Sequence, residues 1–380
     1  MGARRLVVIW LVAGAACGSS AAPQGPGPTP EETGGRGGTM MGTGGMAEGG
    51  KGGSVVPDAA ATVSPDASDP IAPDAATTTP DLAVVPDASA LGAFPLEAVK
   101  AMKSEMYAPA NAHIEGPSWR DGEIFFAADG AGWGMMRVDA NRKVYRYHPK
   151  LAPVGSYLLA DGSLLVCDHT LILVQVFPDG KVAQLATDFQ GQAIEYCNDV
   201  TVDADGNVYV TGRHTGIIYR ISPAGEVVKV ATGLALPNGV EVDPGSKYLY
   251  FGVSGGIMRV PLPEGGGSTF AKAERIGSAG NADGMAFDAW GNLWIADWSG
   301  KRLVILAADG KSVANIPTGG GPINLTFGGP DNDTVFVLND FKGVVKMGPV
   351  PGLRGFLHKG AAKYTIKKML DYVPANTPVN

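Results

Sequence analysis

From residue 110 onward the chain repeats itself every 40 to 45 residues, and no other feature narrows the fold so far. Each unit opens on a tight turn that runs into a short apolar-aromatic strand. The six are Asp121-Gly122 before EIFF, Asp161-Gly162 before SLLV, Asp205-Gly206 before NVYV, Gly245-Ser246 before KYLY, Trp290-Gly291 before NLWI and Asp331-Asn332 before DTVFV. A second strand follows in each: MMRVD, LVQVF, IIYRI, IMRVP, RLVIL and VVKMG. Short strands at even spacing with Gly and Asp turns call for a closed all-β toroid, because radial closure protects their edges. Six four-stranded units fill residues 95–380, so the sequence predicts an all-β, six-bladed β-propeller there. Phe94–Tyr107 reads as a short helix or edge segment leading into the first blade. The tail beyond Leu353, with Lys359, Lys363, Lys367 and Lys368, reads as a solvated end or a closing strand.

The residues ahead of the repeats are of another kind. Residues 1–17 read as an export signal, with Arg4 and Arg5 before the apolar run Leu6–Val12, which is too short to span a bilayer, and Gly14-Ala15-Ala16 leading to Cys17. Residues 18–94 carry nine acids against two bases, and so account for most of the chain's formal charge of −7. Gly34–Gly53 is Gly-rich, and Pro-Asp-Ala then recurs at Pro57, Pro65, Pro73 and Pro86. Such a segment cannot bury enough apolar surface to offset chain entropy and is expected to be a disordered tether. The remaining residues are close to neutral, which leaves no basic excess for a nucleic-acid partner. Three Cys exclude a disulfide-stapled mini-scaffold; Cys167 and Cys197 could pair in an oxidising compartment, with two buried free thiols the favoured expectation.

The register of the repeats points to chemistry. In a propeller the innermost strand of each blade runs beside the central channel, so residues near its start meet on the axis. Seven or eight places before the second residue of each turn stand Glu115, Val154, Asn198, Asn238, Asp283 and Asn324. At any one position Asn or Asp also serves as a turn residue bonding its own backbone. Five carboxylates or amides at one register are costly to bury together unless they hold one another or a cation. Oxygen ligands without clustered Cys or His favour a hard divalent ion, Ca²⁺ first, with Mg²⁺, Mn²⁺ or Zn²⁺ as alternatives.

The segments EGPSW at Glu115–Trp119, LLVCDH at Leu164–His169 and CNDVTVDADGNVYVTG at Cys197–Gly212 look like family motifs. So do LPNGVEVDPGSKYLY at Leu236–Tyr250, ADGMAFDAWGNLWIAD at Ala282–Asp297 and NLTFGGPD at Asn324–Asp331. In this order, over roughly 110–345, they resemble the gluconolactonase / senescence marker protein (regucalcin) / lactone-hydrolase family of six-bladed propellers with an axial divalent metal. The resemblance implies Glu115, Asn238 and Asp283 as metal ligands, Asp283 also as general base, and Asn198 as a ligand or substrate contact. Asn324 lies at the same register but is implied to be structural. Two departures touch the substrate side. Tyr196 stands where family members often carry an Arg, and ADGAGWGMM at residues 128–136 brings Trp133 toward the channel mouth. Tyr196 and Trp133 are therefore candidate substrate contacts. The approach to Cys17 resembles a bacterial lipobox except at Gly14. Lipidation of Cys17 would make an anchored lipoprotein, periplasmic or on the outer membrane, and ordinary cleavage a secreted one.

The expected activity is metal-assisted hydrolysis of a small-molecule lactone by a monomer that meets a membrane only through its anchor. No GxSxG nucleophile elbow competes with that reading. A non-catalytic, calcium-stabilised propeller acting as a binding module is the alternative, favoured by Tyr196 in the Arg position. A metal-free propeller enzyme of the strictosidine-synthase kind is disfavoured by Glu115, Asn238 and Asp283. His169 and His214 read as structural or solvated, with a substrate-facing place the alternative for His214.

Overall fold

The computed structural model describes residues 91–129, 134–358 and 363–379. The leader, Cys17, most of the tether and Trp133 lie outside the described residues.

Six antiparallel sheets form the six blades of a β-propeller. The innermost strands are Ile114–Arg120, Pro153–Leu158, Cys197–Val202, Val240–Val242, Ala282–Phe287 and Pro322–Gly328, for blades one to six. Six clusters of buried aliphatic and aromatic side chains fill the spaces around the toroid, with Trp294, Phe125, Phe251 and Phe287 among the largest. The hairpin turns explain the repeated Asp. In blade three Asp203 accepts the Asp205 and Asn207 N–H groups, and its second oxygen accepts the Tyr209 hydroxyl at 2.9 Å. In blade five Asp288 repeats the arrangement with Trp290, Asn292 and the Trp294 indole at 2.9 Å. The Asp thus closes the turn and fixes an aromatic ring of the next strand into the core.

The ring is closed by the segment that the sequence places ahead of blade one. Ser104–Pro109 pairs with Gly343–Met347 and becomes the outer strand of blade six. The short helix Leu96–Lys100 before it inserts Val99 into the core between blades five and six. Docking begins at Gly92, whose carbonyl accepts the Trp290 indole N–H at 2.8 Å.

The C-terminal tail is neither a solvated end nor the closing strand but a strap that touches every blade. It bonds blade six at Asn332, blade five at Phe287, blade four at Asp243, blade three at Pro223 and blade two at Gln184. It ends with Thr377–Pro378 paired on the outer strand of blade one. Bonded in turn to blades six, five, four, three, two and one, the strap resists opening between these neighbours, and the chain from Pro109 to Ile114 joins blade six to blade one.

Cys167 and Cys197 form a disulfide, with Cα atoms 5.1 Å apart, contrary to the expectation of free thiols. Cys167 is the penultimate residue of the second strand of blade two, Leu164–Asp168, and Cys197 starts the inner strand of blade three. Adjacent blades bring these two places together, a proximity that 30 residues of sequence separation conceal.

Candidate active site

The residues at the expected register all stand at the start of an inner strand or just ahead of it, and the backbone there is irregular. The pairing of inner with second strand slips between Glu115 and Ser118, Pro153 and Ser156, Cys197 and Val200, Ala282 and Met285, and Pro322 and Asn324. Bulges of this kind re-aim side chains that a regular pleat would send into the blade. Polar residues at the ends of second strands brace the loops that feed these starts. Asp168 accepts the Ala152 N–H at 2.7 Å, Asp297 accepts the Asn281 N–H at 3.2 Å, and Asn339 donates to the Thr318 carbonyl at 2.9 Å.

A cavity of about 660 Å³ opens at this end of the channel and is lined by Glu115, Val154, Asn198 and Asp283. Asn238 is buried beside it and bonds through its side chain to the Asp283 carboxylate. Asn324 faces the other way, into a second cavity of about 320 Å³ at the strap end, and caps the Leu325 N–H at 2.8 Å. Tyr196 is half exposed at the mouth, between the rings of His169 and His214, with centroids at 6.3 and 4.3 Å.

The axial carboxylates are buried and carry more negative charge than the protein around them neutralises. Desolvation raises Glu115 well above the usual carboxylate range, and repulsion from Asp283 and Asp199 adds to it. Desolvation pushes Asp283 up to about 6, against the opposing pull of Arg213, His113 and the Asn238 hydrogen bond. Burial pushes Asp199 up to about 7, although it accepts the Val200 and Val240 N–H groups. Asp283 Oδ1 is buried with no hydrogen-bond partner.

Among the described residues no three His, Cys, Asp or Glu side chains group closely enough to hold a metal ion alone. A cation here would need amide oxygens as well, as Asn238 and Asn198 beside Glu115 and Asp283 offer. Two buried carboxylates, one orphaned oxygen and neighbouring amides form a hard-oxygen donor set that fits a divalent cation.

The cavity also contains groups that the inner-strand register does not show. The residue that follows the second strand of each blade forms a register of its own: Asp129, His169, Arg213, Ser254, Trp298 and Asp340. All but Ser254 line this cavity. Arg213 supplies positive charge toward both Glu115 and Asp283, although Tyr196 occupies the place expected for an Arg. Two places ahead of the axial residues stand His113 and Asn281, which line the cavity as well. His113 is held through Nδ1 by Asp340 Oδ1 at 2.8 Å, and its Nε2 lies 3.8 Å from Glu115 Oε1.

A closed ring of six blades, with buried carboxylates and amides at one mouth of its channel, defines a six-bladed propeller with a polar axial site. Residues 114–339 match the SMP-30/gluconolactonase/LRE-like family, and the chain belongs to it. It is 30% identical over 246 residues to a pentonolactonase of Haloferax volcanii, covering 59% of this chain and 80% of that protein. It is 27% identical to the diisopropyl-fluorophosphatase of Loligo vulgaris, covering 49% and 68%. A solved gluconolactonase from Xanthomonas campestris shares the fold with a TM-score of 0.57 at 20% identity, over 65% of this chain and 89% of that one.

Proposed function

We propose that this protein is an exported, divalent-cation-dependent lactone hydrolase. The observation that carries the reading is Asp283: a buried carboxylate with one oxygen held by Asn238 and the other unpartnered, facing Glu115 across a solvent-open cavity. Glu115, Asn238 and Asp283, with Asn198 beside them, would hold the cation, Ca²⁺ being the best match to oxygen ligands. Bound there, it supplies Lewis-acid polarisation of a carbonyl oxygen.

The chain's own groups do the remaining work. Asp283 Oδ1 takes the proton of the water that attacks the lactone carbonyl carbon. His113, with Nδ1 donated to Asp340, presents Nε2 as an acceptor that orients this water. As the ring C–O bond breaks, the departing alkoxide recovers the proton from Asp283, and the product is the open hydroxy acid. Asn198 donates to the substrate, and Arg213 offsets the charge of the two carboxylates.

Two further parts of the reading concern place. The leader ending at Cys17 supports export, with anchoring if Cys17 is lipidated. The Cys167–Cys197 disulfide supports an oxidising compartment, periplasmic or extracellular. A panel of sugar and alkyl lactones assayed by pH-stat, with and without EDTA, tests the activity. Hydrolysis that EDTA abolishes and Ca²⁺ restores is expected. Bound Ca²⁺ with no lactone turned over would leave the binding-module alternative.

A further inference from the structure

Beside the cavity, in the loops that lead into or follow its residues, large apolar side chains are held out in water. Tyr196, Leu236, Trp298 and Phe341 are 48%, 50%, 43% and 61% exposed. Tyr196 and Leu236 stand two residues ahead of Asn198 and Asn238, the register at which His113 and Asn281 face the cavity. Trp298 lines the cavity, packs on Gly321 and donates its indole N–H to Asp340 at 3.3 Å. Phe341 follows Asp340, with its ring centroid 6.4 Å from that of His113.

Three of the four sit in a backbone conformation that their side chains disfavour. Tyr196, Leu236 and Phe341 have φ of 54°, 50° and 52°, where Gly or Asn is the ordinary choice. Phe341 occupies a turn closed by the Lys342 N–H on the Asn339 carbonyl, a place where stability alone would select Gly. Strain of this kind is kept at ligand clamps and active sites, where the rest of the structure enforces it. Inside the mouth, the axial register itself turns apolar at blade two, where Leu151, Ala152, Pro153 and Val154 line the wall. Arg213 is the sole Arg or Lys among the described lining residues, and its charge acts on Glu115 and Asp283.

We infer that the substrate is a lactone bearing an apolar substituent, and that Tyr196, Leu236, Trp298 and Phe341 form the rim that binds this arm. The inference rests on the lactonase reading for the ring that reacts and adds the chemistry of what the ring carries. A polyhydroxylated sugar lactone would leave this rim wet. An alkyl or aryl arm would cover it, continuous with the apolar wall at Val154.

The test uses the Ca²⁺-loaded protein and γ-lactones with unbranched alkyl arms of one to seven carbons, beside glucono- and pentono-lactones. kcat/KM is expected to rise about two- to fourfold per methylene over the first several carbons. In Tyr196→Ser and Phe341→Ser the ratio of kcat/KM between the longest and shortest arms should fall at least tenfold. Calorimetric binding of the matching alkyl γ-lactams, which are not hydrolysed, should show the same gain with arm length and the same loss in the variants. Faster turnover of the sugar lactones with no gain from the arm overturns the inference while leaving the lactonase reading intact. Lactam binding that strengthens with arm length, with no lactone hydrolysed, upholds the apolar rim and removes the lactonase reading. Rim variants that change binding to phospholipid vesicles but not to the lactams overturn the inference and assign the rim to a membrane.

Discussion

Gly239 packs its bare Cα against the main chain of Asp283, so that a methyl group there would overlap the Asp283 carbonyl oxygen. The clash is backbone on backbone and no rotamer relieves it. Gly239 follows Asn238, so this contact sets how far blade four stands from blade five at the two residues proposed to share a cation. Gly239→Ala is expected to cost about 2–4 kcal/mol of stability. It should also weaken Ca²⁺ binding about 10- to 100-fold by moving Asn238 away from Asp283. Calorimetric titration with Ca²⁺ and a thermal melt check the two parts separately.

The orphaned Asp283 oxygen predicts opposite effects of one substitution with and without metal. Asp283→Asn keeps the shape and removes a buried, uncompensated charge. In EDTA the variant should be more stable than the wild type by about 1–3 kcal/mol. Saturating Ca²⁺ should raise the wild-type melting temperature, since a ligand at 100 times its Kd adds about 2.7 kcal/mol, and leave the variant where it was. Lactone kcat/KM should drop about 10³-fold with the loss of the general base. A variant less stable than wild type in EDTA would contradict the assignment.

How much of this was legible in the sequence follows from periodicity. The toroid and the axial residues recur at a fixed offset from a visible turn, so Glu115, Asn198, Asn238 and Asp283 could be selected without coordinates. His113, Arg213, Trp298 and Asp340 escaped because they belong to other registers. His113 had a readable sign, being two residues before Glu115. Arg213, Trp298 and Asp340 share the place immediately after a second strand, which becomes a register only once strand ends are known to within a residue. The disulfide and the strap depend on which blades adjoin and on chain reversal across the whole ring, and no local pattern encodes either.

The disulfide closes a loop of about 30 residues that contains the third and fourth strands of blade two, Ile172–Val176 and Val182–Ala186, and leads to Asn198. The chain-entropy relation gives about 3–4 kcal/mol for a loop of that length. A Cys167→Ala/Cys197→Ala double variant should unfold at lower denaturant by that amount. Dithiothreitol should shift the wild type toward the variant and leave the variant itself unchanged.

His148 gives acid sensitivity. It is buried, its ring makes at most a weak contact with the Gly180 backbone, and desolvation lowers it to about 4 against that contact. The unfolded chain therefore binds a proton between pH 6.5 and 4 that the folded one does not. Stability attributable to this group is complete above about pH 6.5 and is lost as pH falls toward 4, by on the order of 3 kcal/mol. Urea melts across that range should show a steeper acid limb for wild type than for His148→Phe, which fills the site without a titratable group.

Glu241 should act in the opposite sense. It lines the strap-end cavity, accepts the Thr201 hydroxyl at 2.7 Å, and is pushed up to about 8, chiefly by desolvation, with Asp199 repulsion adding to it. A carboxyl raised in the folded state is accommodated while protonated and penalises folding once ionised. The cost appears as pH climbs from about 4.5 and is complete above about 8. Gln keeps the acceptor for Thr201 and carries no charge. Glu241→Gln should therefore match wild type near pH 4 and exceed it by about 2 kcal/mol at pH 9, less than the full shift because the carboxyl faces a cavity that can admit water. Equal urea midpoints at both pH values would mean that Glu241 ionises in the fold as readily as in the unfolded chain, against the assignment.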